Sequence, residues 1–328
     1  MSGRQAWTLG WALVCAISAA GVHAADWPAG DYELQPRAIA AQTWVIEGAV
    51  EDFSRANGCN IINTGFIATD EGVLVINTGP SWLYGQQQRA AIARTVPQKP
   101  SRVVALNLHP DYFFGNQAWT DLPMLALGGT VAGMQAEGKA YEDNLYRLCG
   151  DWMKGTESTP ARQSLTPGRQ DWGGHRLEWV RLEGHTGDDL LLMDHSTGVL
   201  FAGGLVFADR VPTAPHARLL PWIKSLRTVQ GWIDQGLVRT VVPSHGPVHA
   251  GRKGVDQTLD WLQWLHQRLQ SSAAQGLDLS EVLRLSIPQR FARWAAMPAE
   301  YTRSVTYLYP QYENEQLAWP AVPTGTGR

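Results

Sequence analysis

The sequence predicts an α/β (α+β) fold, a layered sandwich of mixed sheets flanked by helices. Two observations predict it. Short apolar runs and amphipathic helix periods follow the order strands, helix, strand, helix, and then repeat that order. Three of the strand candidates are followed closely by a histidine, as when loops at one edge of a sheet carry a common site. There is no short-period repeat.

The first residues have a leader's pattern: Arg4, an apolar stretch over residues 6–21 broken by Thr8, Gly10 and Ser18, then Val22-His23-Ala24. Cleavage is expected after Ala24, which makes the mature protein periplasmic or secreted. No later segment is apolar enough to span a bilayer. Residues 25–41 read as an irregular lead-in. Strands are predicted over residues 43–46, 60–63 leading into 66–67, and 73–76, with Asp70-Glu71-Gly72 as a hairpin turn. Asn77-Thr78-Gly79-Pro80-Ser81 ends the last strand and caps a helix over 82–96. The strand 103–106 delivers His109-Pro110-Asp111-Tyr112. Tyr141, Leu145, Leu148 and Trp152 share one helical face. A linker-like stretch occupies 155–168. Strands follow at 176–182, 190–193 and 199–201, then a helix marked by Trp222, Leu226, Val229 and Ile233. Residues 239–242 form a strand ending in Pro243-Ser244-His245-Gly246. Val255, Leu259, Leu262 and Leu269 mark a third helix. The remainder, rich in Pro, Trp and Tyr, reads as a helical or irregular cap.

The formal net charge is −3 and no basic patch stands out, which argues against a nucleic-acid partner. Fifteen tryptophans invite an aromatic ligand, but core packing is the favoured reading. Once Cys15 leaves with the leader, Cys59 and Cys149 form one disulfide, stay as two thiols, or ligate a metal.

His109 and Asp111 stand two residues apart past a strand end. His185 sits in Glu183-Gly184-His185-Thr186-Gly187-Asp188, and His245 follows the strand 239–242. Imidazole and carboxylate donors suit zinc. These segments, with Asn77-Thr78-Gly79, Gly115-Asn116, Leu200-Phe201-Ala202-Gly203-Gly204 and Ser244-His245-Gly246, resemble the metallo-β-lactamase-fold hydrolases over about residues 42–250. Several wordings are similar to one exported branch, the quinoprotein relay system zinc metallohydrolases: Asn77 to Ser81 with Tyr84-Gly85, Asp143-Asn144-Leu145-Tyr146-Arg147-Leu148, Gly150-Asp151-Trp152-Met153, and Gly203 to Phe207.

The resemblance implies a four-layer αβ/βα sandwich over 25–270, with 271–328 as a C-terminal cap. It also implies a depleted metal site. The family loop His-x-His-x-Asp-His reads here Asn107, His109, Asp111, Tyr112. The bridging aspartate falls on Gly204, and the aspartate before Thr78 is Asn77. His109, Asp111, His185 and His245 remain, a donor set for one zinc rather than two. Asp111 is also a candidate general base, and Tyr112 a group that orients water or substrate. Asp209 and His216, just after the lost aspartate position, are candidate replacement ligands, with a solvated or structural role the favoured reading. The expected function is a metal-dependent hydrolase of a small ester, lactone or amide, linked through the branch to a quinoprotein or cytochrome partner. The alternative is a non-catalytic binding protein on the same scaffold. True β-lactamase activity is the weaker third reading.

Overall fold

The computed structural model describes residues 30–317; the expected leader lies outside the described residues. Two sheets form the centre. The first has the order β1 (Arg37–Ala40), β2 (Thr43–Ile46), β3 (Thr64–Thr69), β4 (Gly72–Ile76), β5 (Pro100–Val104), β6 (Met124–Ala126) and β7 (Gln163–Ser164). The second has β13 (His249–Ala250), β12 (Thr240–Val242), β11 (Val199–Phe201), β10 (Asp189–Asp194), β9 (His175–Leu182) and β8 (Gly168–Trp172). The helices are α1 (Trp82–Thr95), α2 (Pro110–Phe113), α3 (Gly128–Cys149), α4 (Leu219–Asp234), α5 (Lys253–Ala274), α6 (Leu279–Arg284) and α7 (Ala299–Leu317).

Alternation along single strands builds the layers, because successive side chains of a strand point to opposite faces. On β4, Leu74 and Ile76 enter the core between the sheets, while Val73 and Val75 face the outer cluster with Ile92 of α1 and with Met134 and Leu145 of α3. On β10, Leu190 and Leu192 enter the inter-sheet core. Leu191 and Met193 pack with Trp222 and Leu226 of α4 and with Leu262 and Leu265 of α5. Each such aliphatic side chain contributes roughly 1.5–3 kcal/mol on burial. The result is helix, sheet, sheet, helix, the four-layer αβ/βα arrangement.

Local departures from the sequence reading have physical causes. Residues 37–40 are a strand, β1, because β2 supplies its ladder partner; its residues are half-buried or exposed and carry little apolar signal. Residues 60–63 are not a strand. They form a loop whose Asn63 donates through Nδ2 to the carbonyls of Pro243 (3.0 Å) and Gly246 (2.7 Å) and so pins the segment holding His245. The strand expected at 103–106 ends at Val104, and the Leu106 N–H is taken by Asn77 Oδ1 at 3.0 Å. The helix carrying Tyr141 is longer than expected, starts at Gly128 and stops at Cys149, so Trp152 falls on the short 3-10 turn after it. Cys59 and Cys149 form a disulfide that ties the 51–62 segment to the end of α3.

Candidate active site

The first loop is built by its turn chemistry. His109 occupies the N-cap of α2 in an extended conformation and Pro110 takes the first helical position, where its missing N–H costs nothing. Gly115 lies so close to Thr78 that a Cβ there would meet the Thr78 carbonyl oxygen at 1.9 Å. The second loop hangs on Asp189. Its Oδ2 accepts the backbone N–H of His185 and of Thr186, both at 3.0 Å, which aims His185. The third loop follows β12, where Phe207 stacks on His245 with centroids 4.9 Å apart.

These loops open on one cavity of about 500 Å³. His109, Asp111, Tyr112, His185 and His245 all line it, so the structure brings every sequence-predicted site residue together. His245 Nε2 lies 2.9 Å from Asp111 Oδ2, and the rings of His109 and His185 are 4.7 Å apart. Burial, outweighing the Asp111 carboxylate, pulls His245 down to about 4. Burial, with His185, His216 and His245 as neighbours, holds His109 well below the ordinary imidazole value. Burial and the adjacent Asp111 push the Tyr112 phenol well up, so it stays protonated. A neutral His245 donates from Nε2–H to Asp111 and leaves Nδ1 facing the Ser244 hydroxyl at 3.0 Å. Ser244, His245 and Asp111 have the composition of a serine triad. The Ser244 hydroxyl, however, is buried between Nδ1 and the Val206 carbonyl and does not line the cavity.

Sequence reading set His216 aside, yet its Nδ1 lies 3.0 Å from His109 Nε2. Behind it stand Glu137, 3.4 Å from His216 Nε2, and Tyr141, whose hydroxyl donates to the same Glu137 oxygen. Glu137, Tyr141, Asn144 and Leu148 line the cavity along one face of α3, and that spacing was available in the sequence. The one sequence signal for His216 was its place just after the lost aspartate position. Asp209, also set aside, is outside the site, bound to Lys253 at 2.7 Å and to Gln257. Among the described residues, no tryptophan lines the cavity.

The fit to metal follows from what the lost positions now do. Asn107 donates to Asp189 Oδ1 at 2.8 Å and serves as a strut between two loops. Asn77 Nδ2 donates to the Asn63 carbonyl at 3.3 Å. A Cβ on Gly204 would stand 2.1 Å from His185 Nδ1, so the ring occupies the space a bridging carboxylate would need. Three of the four remaining donors close on other side chains, His245 and Asp111 on each other and His109 on His216, while His185 has no hydrogen-bond partner. Among the described residues, no three His, Cys, Asp or Glu side chains could hold a metal ion. The residues as arranged therefore do not fit a zinc centre, and no chemistry is routed through one.

Comparison with known proteins agrees with this architecture. The chain is 24% identical over 229 residues to the acyl-coenzyme A thioesterase MBLAC2 of Homo sapiens, covering 62% of this chain and 77% of that protein. The Bos taurus counterpart is 23% identical over the same length. A metallo-beta-lactamase from Pontibacter korlensis superposes with a TM-score of 0.57 at 22% identity, covering 70% of this chain and 99% of that one. The metallo-beta-lactamase IND-7 superposes with a TM-score of 0.55 at 16% identity, covering 70% and 98%. Residues 57–245 match the model of the metallo-beta-lactamase superfamily, and the chain belongs to that superfamily.

Proposed function

We propose that the protein is an exported hydrolase of a small ester, thioester, lactone or amide. One observation carries this reading: His109, His185 and His245, with the Asp111 carboxylate and the protonated phenol of Tyr112, line a single cavity. Two of these groups are uncommitted. Both ring nitrogens of His185 are buried without a hydrogen-bond partner, Nδ1 standing 3.7 Å from Asp189 Oδ1. The Tyr112 hydroxyl, near Ser244, makes no hydrogen bond of ordinary geometry. His185 takes a proton from water attacking the acyl carbon and returns it to the leaving oxygen, sulfur or nitrogen. The Tyr112 O–H donates to the acyl oxygen as charge develops there. Asp111 orients His245 through their hydrogen bond.

The thioesterase relatives support the acyl class, and the leader pattern together with the disulfide supports export. The branch wordings support a quinoprotein or cytochrome partner. A second reading, a non-catalytic binding protein with its metal site lost, is favoured by the paired closure of the donors. Assays with p-nitrophenyl acetate, S-butyryl-N-acetylcysteamine and nitrocefin, run as purified, with chelator and with zinc, separate the two. Ester or thioester turnover is expected, with His185→Gln and Tyr112→Phe each lowering kcat by about 100-fold. No turnover in any metal state would leave the binding reading. Zinc retained at one equivalent would overturn the metal-free step.

A further inference from the structure

The cavity has a wall the rest of the family resemblance does not reach. Glu300, Arg303 and Tyr307 of α7 line it, at the spacing that puts them on one helical face. Glu300 is fully buried. Its Oε1 accepts three hydrogen bonds, from Arg303 at 2.7 Å, Thr213 at 2.6 Å and Arg210 at 3.2 Å. Its Oε2, equally buried, accepts none. Burying a carboxylate oxygen without a donor is costly, and such groups in native proteins are nearly always paired. The orphaned Tyr112 hydroxyl and the His185 nitrogens belong to the same cavity. Three cavity-lining residues from three distant parts of the chain thus each hold a buried polar atom without a partner. One of them can only accept and one, a protonated phenol, readily donates.

We propose that the cavity binds an acyl compound that carries a hydrogen-bond donor, a hydroxyl or N–H on its acyl chain, which Glu300 Oε2 accepts while Tyr112 donates to the acyl oxygen. α7 is then the specificity element, and Glu300 a binding residue held in place by Arg210, Arg303 and Thr213. A site built to pair a substrate hydroxyl discriminates strongly against the analogue that lacks it, because the buried oxygen is then left alone. This inference deepens the hydrolase reading in naming the substrate class, but it concerns binding and is tested without turnover.

The probes are 3-hydroxybutyranilide and butyranilide, matched amides, with the dissociation constants measured by calorimetry on the full chain. The wild type is expected to bind the hydroxylated amide at least about tenfold more tightly. Glu300→Gln keeps a carbonyl oxygen for the Arg210 and Arg303 cluster and places an amide N–H₂ where Oε2 stood. It should shrink the preference to within about threefold, chiefly by weakening the hydroxylated amide. Tyr112→Phe should weaken both amides alike and keep the preference. Equal affinity of the wild type for the two amides, or no binding of either, overturns the proposal, as does a preference that survives Glu300→Gln. If Glu300→Gln does not fold, the wild-type ratio and the Tyr112→Phe ratio still decide. Absence of p-nitrophenyl ester turnover with the preference intact would sink the hydrolase reading and leave this one standing.

Discussion

Two buried imidazole–carboxylate pairs lie toward opposite ends of the second sheet's strands, and they do different work. At the end of β9 remote from His185, His175 Nδ1 lies 2.8 Å from Asp194 Oδ2. Asp194 also accepts the Ser196 N–H at 2.9 Å and the Thr197 hydroxyl at 2.7 Å, and neither partner lines the cavity that His245 and Asp111 share. At the other end, His245 and Asp111 are joined by a hydrogen bond of nearly the same length, beside a cavity with unsatisfied polar atoms. The residue types are the same. What separates a strut from a site is whether the surroundings complete the hydrogen bonds.

Removing one carboxylate should expose the difference most sharply. Asp194→Ala leaves His175 buried with no partner and is expected to cost roughly 3–5 kcal/mol of stability. Asp111→Ala opens onto the cavity, where water can replace the lost group, and should cost only about 1–2 kcal/mol. Turnover should respond in the opposite sense, lost in the Asp111 variant and retained per folded molecule in the Asp194 variant. Urea titrations beside ester assays check this; equal stability losses would erase the distinction. Gly204→Asp restores the residue the family pattern calls for, but its Cβ would meet His185 Nδ1 at 2.1 Å. A destabilisation of roughly 1–3 kcal/mol is expected, with no gain in bound zinc by elemental analysis. Tight uptake of two ions at unchanged stability would show that the His185 position is not what excludes the carboxylate.

The convergence of three histidines on one cavity was legible because strand ends are written locally: an apolar run, then His109, His185 or His245. The layers were legible for the same reason, since β4 and β10 are apolar on both faces and the helices keep their period. His216 was not, because its role comes from tertiary approach to His109 across 107 residues. The same holds for α7, which the sequence shows only as a cap; its wall of the cavity depends on Glu300 meeting Arg210, 90 residues earlier. β6, three residues long, carries too few side chains to signal a period, and its ladder with β5 and β7 defines it. The pairing of His175 with Asp194 left no motif at all.

Phenols repeat the contrast at smaller scale. Tyr84 and Thr64 share a buried hydrogen bond of 2.9 Å, whereas the Tyr112 hydroxyl has no such partner. Tyr84→Phe should therefore cost about 1–2 kcal/mol, because Thr64 loses its partner. Tyr112→Phe should be neutral or slightly stabilising, since it removes a buried polar atom whose one neighbour, Ser244, does not meet it in ordinary hydrogen-bond geometry. Thermal unfolding of the two variants under one condition decides; a matching loss for Tyr112→Phe would mean its hydroxyl is structural.

The smallest expected effect is a pH dependence that belongs to the strut. Burial pushes the Asp194 carboxyl up, but hydrogen bonds from His175, Thr197 and the Ser196 N–H outweigh it and leave it below its ordinary value of 3.8. A carboxylate with a lowered folded value binds protons more readily in the unfolded chain. Its stabilisation is therefore present above the ordinary carboxylate value and is lost as pH falls through the lower folded value. The contribution should be on the order of 1 kcal/mol. Asp194→Asn abolishes the titration while keeping the shape, so the variant's stability should fall less steeply than the wild type's between about pH 5 and pH 2. Parallel acid limbs for the two proteins would mean that Asp194 does not carry this share of the acid sensitivity, and that the strut is held by packing of β9 on β10 instead of by its charge.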